Sequence, residues 1–390
     1  MSDPRTTIPT PPEVREEIVA AVRHWVAREV LPVASELERA DAHPDALVED
    51  MKAMGLFGVT TPVEYGGLGL DLLTYVAVVE ELCYGWMSLS GIVNTHTMCA
   101  TTIATHGTEE QKRRWLPDLA SGARRGALSL SEPDAGTDTR NLTCRATRDG
   151  DEWVVDGTKT WVTNGERASL ILLAARTDEG ISAFVVEKEP GPSSGGITVS
   201  RNIPKLGYKG LETVEMAYVG HRMPADALVG EPGRGLAQIL GVLEQGRINI
   251  AARAVGVARA AFDAALAYAQ QRHTMGVPIA EHQAIQLKLA DMATQLEAAR
   301  LLTRSAAEKK QAGERCDVEA GMAKLFASEA AFAIATDAMR IHGGIGYTTE
   351  LPIERHLRDA PLMMIGEGTN EIQRLVIARG LLRRLSEPGR

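Results

Sequence analysis

The run "PLMMIGEGTNEIQRLVIARG", Pro361 to Gly380, ends an apolar stretch in a single carboxylate, Glu367, set between Gly366 and Gly368. A carboxylate in an apolar, water-poor setting is poorly solvated. Its proton affinity rises toward the working pH, and it can then serve as a general base. The two glycines let the backbone approach a ligand closely. Read alone, the residue is more ordinarily an acid at the start of the helix that follows, favoured by the helix dipole. His273, His282 and His342 invite a catalytic reading because histidine as a residue type titrates near neutrality, but no metal-ligand spacing links them, and they read as packing or rim positions. Met363 and Met364 read as pocket wall or core.

The elements that must position these groups fall into three regions. Residues 12 to about 122 carry a helical period: Ile18, Val22, Trp25 and Val26 recur at spacings of three and four. Gly66, Gly67 and Gly69 mark a loop inside that region. Thr108 with Gln111 three residues on predicts a capping box. The texture changes near Gly126. "TCRATRDGDEWVVDGTKTWVTNG" is rich in β-branched and aromatic residues, and its Asp-Gly pairs at 149–150 and 156–157 are hairpin signals. From Ala237 the helical period returns, with Ile285, Leu289, Met292 and Leu296 at steps of four, three and four. The expected division is a helical domain over 1–125, a β domain over 126–238 and a helical bundle over 239–390. A β region flanked by helices, rather than interleaved with them, argues against a doubly wound sheet.

The 390 residues exceed one ordinary core. A net charge of −9 leaves no basic stripe for nucleic acid, and the short clusters Lys112-Arg113-Arg114 and Arg383-Arg384 read as solvated helix faces. The longest apolar stretch, Ile248 to Ala269, carries Arg253, Arg259 and Asp263, so no membrane span is expected. "MSDPRTTIPTPPEV" lacks the apolar core of a signal peptide. Cys83, Cys99, Cys144 and Cys316 are far apart, which suits a reducing, cytoplasmic setting and gives no sign of a zinc site. No G-x-G-x-x-G follows a strand, and there is no Walker A sequence, no G-x-S-x-G and no H-E-x-x-H.

Three stretches together carry a resemblance. They are "LSLSEPDAGTDTRN" with "WVTNG" (128–141 and 161–165), "RHTMGVPIAEHQAIQLKLADM" (272–292), and "RIHGGIGYTTELPIERHLRDAP" leading into "IGEGTNEIQRLVIAR" (340–379); "GTEEQKRRWLPDLASG" (107–122) joins them. In order and spacing the chain resembles the acyl-CoA dehydrogenase family of flavoproteins over nearly its whole length. The resemblance implies an α+β fold: an N-terminal helical domain, a middle antiparallel β-barrel domain and a C-terminal four-helix bundle, in a homotetramer. It implies FAD as cofactor, an acyl-CoA substrate and an electron-transfer flavoprotein as electron acceptor.

It also implies roles. Glu367 would take the α-proton while the flavin accepts the β-hydride, giving the trans-2-enoyl-CoA. The Glu367 backbone N–H and a ribityl hydroxyl would bind the thioester oxygen. Leu130, Ser131, Gly136 and Thr137 would line the isoalloxazine, Thr137 also lying near the CoA moiety. Trp161 and Thr163 would cover and hydrogen-bond the ring. Arg272 would pair with the pyrophosphate. Gln283 would also contact FAD, and Gly343 and Gly344 would approach its phosphate or adenosine. In the family this last set comes from a neighbouring subunit. Thr369, Asn370 and Glu371 would add polar groups at the start of the final helix. Arg247, Glu244 and Gly368 would sit near the substrate, Glu244 at its rim. A subclass of the family keeps its base beside this arginine, but the residue before Arg247 is Gly246, which favours Glu367. Met275 stands where relatives often carry phenylalanine.

Three function classes follow. The first is an acyl-CoA dehydrogenase resembling the short-chain end of the family, with small Gly246 and Gly366 leaving room for a branched acyl group. The second is an oxygen-using acyl-CoA oxidase or nitroalkane-oxidase-like enzyme. The third is a non-catalytic flavin or CoA scaffold.

Overall fold

The protein is described by a computed structural model over residues 9–386. The reading of the opening residues as lacking a leader, and the outer ends of the first and last expected domains, lie partly outside the described residues.

Helix α1 (Pro12–Trp25) buries Val22 and Trp25 and passes through a π turn, Val26–Val30, into α2 (Leu31–Arg39). Pro32 has no N–H to return to the preceding turn, which accounts for the irregular join. Next come α3 (Asp45–Ala53), α4 (Leu72–Gly85), α5 (Met87–His106) and α6 (Glu109–Ser121). The Thr108–Gln111 capping box forms at the start of α6, with each side chain on the other's backbone amide. Helix α5 is buried along most of its length and packs on α4, α6, a strand of the middle region and a long bundle helix. It is the structural hub between the three regions.

The middle region holds β1 (Gly126–Ser129), β2 (Arg145–Asp149), β3 (Glu152–Thr163), β4 (Leu170–Thr177), β5 (Gly180–Glu187), β6 (Ser193–Ser194), β7 (Ile197–Val199), β8 (Thr213–Pro224) and β9 (Leu228–Val229). The expected closed antiparallel barrel is not what forms. The strands run in the open order β6-β7-β8-β3-β2-β4-β5-β9, and β1 and β2 both lie parallel to β4 along one of its edges. The sheet is therefore mixed: β1 enters directly from the helical region and reaches β4 without a hairpin. The Asp149–Gly150 pair does turn the β2–β3 hairpin. Asp156–Gly157 does not turn; it lies inside β3 at a bulge against β8. Gly157 has φ 147°, and a Cβ there would sit 2.6 Å from the Cα of Cys144, so the glycine is required by close packing and not by a turn.

The bundle consists of α7 (Gly235–Gln271), α8 (Gln283–Gln311), α9 (Asp317–His342) and α10 (Ile353–Ile365), with α11 (Asn370–Ser386) laid against α9. A small ribbon, β10 (His273–Thr274) with β11 (Val277–Pro278), links α7 to α8. Met292 and Leu296 are buried and Ile285 and Leu289 are packed behind them, so the apolar stripe of α8 faces the core. Among the described residues no helix is long and apolar enough to cross a membrane, because Arg253 and its neighbours interrupt α7.

One buried ion pair fixes the loop after β1. Lys159 on β3 is wholly buried and donates to Glu132 Oε1 and to the Leu130 carbonyl, each at 2.9 Å. Glu132 also accepts from the Thr143 and Cys144 amides and the Thr143 hydroxyl. Burial pushes the Glu132 carboxyl up, but the hydrogen bonds from Lys159 and Thr143 overcome this and hold it below the usual carboxylate range. Removing one partner leaves a bare buried charge. Glu132→Gln should therefore destabilise the fold by about 3 kcal/mol, read as a lowered unfolding midpoint in urea. The double variant Glu132→Gln/Lys159→Met should recover part of that loss.

Candidate active site

Glu367 follows the last turn of α10 and precedes α11. Its φ is 54°, a left-handed conformation that costs a non-glycine residue about 1–2 kcal/mol. Trp161, Asn164 and Tyr208 share that unusual region, and all three belong to the segments around the site. The segment is strapped from below. Lys324 on α9, fully buried, donates to the Met364 carbonyl at 3.1 Å and to Asn370 Oδ1 at 2.8 Å, on either side of the turn. The Asn370 amide also donates to the Ser328 hydroxyl at 3.0 Å. Gln373 donates to the Gly368 carbonyl at 3.1 Å. Met363 is core and Met364 is partly buried, within that packing.

The Glu367 side chain reaches between α5 and α7. Oε1 accepts from Asn94 Nδ2 at 2.7 Å. Oε2 is shut off from solvent and has no hydrogen-bond partner, although the residue as a whole is only partly buried. Oε2 lies against Gly246, where a Cβ would come within 2.0 Å of it; only glycine gives the carboxylate this seat. Burial pushes the Glu367 carboxyl up; Arg253, the Asn94 amide, Arg247 and Lys324 all oppose that rise without cancelling it. Burial also pulls the Lys324 ammonium down to about 8, against the pull of Glu367 and Glu371.

Beside the carboxylate lies a cavity of about 10 Å³ lined by Tyr75, Asn94, Thr97, Met98, Thr101, Val242, Gln245, Gly246 and Asn249. That is room for about one water. Its walls are more polar than the apolar surroundings expected from the sequence. Asn249 donates to the Tyr75 hydroxyl at 2.9 Å and accepts from Arg253 Nε at 2.7 Å, and Arg253 also donates to Tyr208. Arg247 has a buried Nε without a partner. Glu244 points elsewhere on α7 and pairs with Lys310 at 2.8 Å.

A second group of expected residues gathers at the rim of the sheet. Leu130 and Ser131 are held to β3 by Lys159 and by the Thr160 amide, which donates to the Ser131 carbonyl at 2.9 Å. The turn closed by Glu132 and Ala135 then sets Gly136 and Thr137 outward and exposed. Trp161 sits in a β3 bulge with its indole 62 % exposed, while Thr163 is buried. Three residues on, Asn164 donates to the Ile92 carbonyl and the Thr95 hydroxyl of α5. Asn94, in the same turn of α5, holds Glu367, so one helical turn ties the sheet rim to the carboxylate. An exposed indole beside open backbone at Gly136 suits a flat aromatic ring such as an isoalloxazine.

Arg272, Gln283, Gly343 and Gly344 form a third group, at the far end of the bundle. Arg272 caps α7, Gln283 opens α8, and the two glycines follow α9. His342 stacks on Tyr268 at 4.3 Å and joins the ends of α9 and α7. His282 meets the Thr274 hydroxyl, and His273 is exposed. Among the described residues no cluster of side chains could hold a metal ion. All four residues are exposed, as is Met275, and the Arg272 guanidinium has no partner among the described residues. From Gly246 to Arg272 the helix rises about 39 Å, so Arg272 lies far from the Glu367 carboxylate within one chain.

Sequence reasoning did not find Asn94, Lys324, Arg253, Glu132 or Lys159. Arg253 left a trace as a charge inside an apolar stretch; the others are single polar residues in buried elements, with no local pattern.

Comparison with known proteins matches the chain to three family models in succession: the acyl-CoA dehydrogenase N-terminal domain over residues 12–123, the middle domain over 127–219 and the C-terminal domain over 233–382. The mitochondrial short-chain specific acyl-CoA dehydrogenase of Bos taurus is 42 % identical over 95 % of this chain and 91 % of its own length. An acyl-CoA dehydrogenase of Bacillus subtilis is 41 % identical over 93 % of this chain and 96 % of its own. The solved structure of butyryl-CoA dehydrogenase from Megasphaera elsdenii superposes with a TM-score of 0.91 at 35 % identity, covering 96 % of this chain and 99 % of that one. With three consecutive domains matched and two-fifths identity across nearly the whole length, this chain belongs to the acyl-CoA dehydrogenase family of oxidoreductases.

Proposed function

We propose that this chain dehydrogenates a short acyl-CoA thioester to its trans-2-enoyl-CoA, with Glu367 as the base that takes the α-proton. The observation that carries the reading is the Glu367 carboxylate itself. It is seated against Gly246 with one oxygen free of donors, and burial raises its proton affinity. An oxygen without a hydrogen-bond donor keeps its lone pairs for the substrate proton. The positive charges of Arg253, Arg247 and Lys324 oppose the neutralisation that burial favours. The Glu367 amide is a donor for the thioester oxygen, and Gly368 and Thr137 are substrate contacts. Arg247 would mark the substrate side of α7, while Glu244, engaged by Lys310, would lie away from the reacting carbons.

The residues at the sheet rim fit FAD: Leu130, Ser131, Gly136 and Thr137 would line the ring, Trp161 would cover it and Thr163 would hydrogen-bond it. FAD bound there supplies the hydride acceptor. Thr369, Asn370 and Glu371 lie at the start of α11, where helix amides favour polar or anionic groups, although the Asn370 side chain is already engaged by Lys324 and Ser328. Arg272, Gln283, Gly343 and Gly344 would hold the pyrophosphate and adenosine of FAD on a neighbouring copy, because Arg272 lies far from this chain's own Glu367. The assembly is then at least a dimer, a tetramer by analogy with the family. Electrons would leave to an electron-transfer flavoprotein, in the cytoplasm.

The likeness to short-chain relatives supports a short acyl group. Anaerobic titration with a series from butyryl-CoA to palmitoyl-CoA tests this by bleaching of the flavin. Bleaching should be fastest at the short end; equal rates along the series sink the short-chain assignment, and rapid air reoxidation with peroxide release points to an oxidase. Glu367→Gln should stay yellow and lose turnover by about 10³-fold. In the unaltered enzyme kcat/KM should fall as pH drops through the pKa of this base. Burial raises that pKa, so the acid limb should lie above the ordinary glutamate value. Arg272→Ala should lose FAD on dilution while its far-ultraviolet circular dichroism stays unchanged.

A further inference from the structure

Asn94 is the one side chain that hydrogen-bonds the Glu367 carboxylate among the described residues, and no pattern in the sequence points to it. It stands on α5, 4 % exposed, and lines the cavity beside the carboxylate. Its amide donates to Oε1 at 2.7 Å and makes a long contact to Met98 Sδ at 3.7 Å. Oε2, on the other side, lies against Gly246 and has no hydrogen-bond partner. The two carboxylate oxygens are therefore chemically unequal before any substrate arrives.

We propose that Asn94 is a positioning residue that selects which oxygen of Glu367 receives the substrate proton and holds that oxygen at the cavity. This rests on Glu367 being the base. In the step, the Cα–H bond of the substrate breaks and an O–H bond forms at Oε2. The electron pair left on Cα forms the Cα=Cβ double bond as the β-hydride leaves, its two electrons accepted by the FAD that the sheet rim would hold. Oε1 competes less well, because the Asn94 amide already occupies one of its two lone pairs and lowers its basicity. A donor to the ionised form also favours ionisation, so Asn94 eases the charge of a buried acid as well as aiming it.

The other groups facing Glu367 act through space. Arg253 and Arg247 on α7 and Lys324 on α9 favour the carboxylate. Tyr75 on α4 and Tyr208 also lie near it; burial first, and then the Glu367 charge, keep their hydroxyls protonated and uncharged. Arg253 is spent on Asn249 and Tyr208, and Lys324 on Met364 and Asn370, so neither fixes the rotation of the carboxylate. Asn94 does.

The test follows the Glu367 carboxyl directly. The whole protein, labelled with ¹³C at the glutamate carboxyls, is titrated by NMR, and the Glu367 resonance is assigned by its loss in Glu367→Gln. In Asn94→Leu the titration midpoint should rise by about one pH unit. The acid limb of kcat/KM should move with it. At high pH kcat should stay about tenfold down, with KM little changed, because the proton-accepting oxygen is no longer aimed. Asn94→Ala, which cannot overpack α5, should show the same midpoint shift if Asn94→Leu does not fold. A merely structural role would lower the unfolding midpoint without moving the titration. An unmoved midpoint with unchanged kcat in a folded Asn94 variant overturns the proposal. If those variants are unchanged while Glu367→Gln is inactive, the base reading stands and only the positioning role is lost; if Glu367→Gln turns over normally, both fall.

Discussion

The site depends on keeping one carboxylate out of water without letting it become permanently neutral. Desolvation alone would drive the Glu367 acid toward its protonated form, which could accept no further proton. The surrounding chain supplies a graded correction: a direct amide on one oxygen, two guanidiniums on α7 and an ammonium beneath the loop. Every one of those groups sits on a different turn or a different helix. Assembling them needs the α4–α5 pair, the long helix α7 and the end of α10 to meet at one point, and that meeting organises the packing of the helical regions.

Helix α5 turns this local arrangement into a global one. Residues Ile92, Asn94 and Thr95 face two ways within a single turn, Ile92 and Thr95 toward the sheet through Asn164, and Asn94 toward Glu367. A cofactor ring against Trp161 and a substrate against Glu367 would thus share one rigid support. That support is a buried helix, not a loop, and suits a reaction in which a proton and a hydride must leave neighbouring carbons in register. The long helix α7 performs the opposite task. It runs from Gly246 beside Glu367 to Arg272 at its far end, and so would hold those two groups apart within one chain.

The order of helical, β and helical regions was legible because hydrophobic period and turn chemistry are local properties. The α8 stripe and the capping box at Thr108 are visible in a few residues each, and the structure contains both. The closed barrel was not legible, because closure depends on which strand edges meet. Here β1 and β2 occupy a shared edge of β4 that no local pattern announces. The same limit explains Asp156–Gly157: a turn signal was overridden by the continuation of β3 across β8 and by the press of Cys144. At the site, Glu367 stood out because glycines flank it in sequence. Asn94 and Lys324 did not, since each is joined to it only through folding, at sequence separations that no motif spans.

The Lys159–Glu132 pair reaches further than the loop it closes. Both of its partners, and every hydrogen bond that satisfies them, come from the polypeptide itself. The edge that offers Ser131, Gly136 and Trp161 therefore needs no guest to take shape. A newly synthesised subunit would present a finished half-socket at once, and prosthetic-group capture would wait only on meeting the far end of a sister subunit.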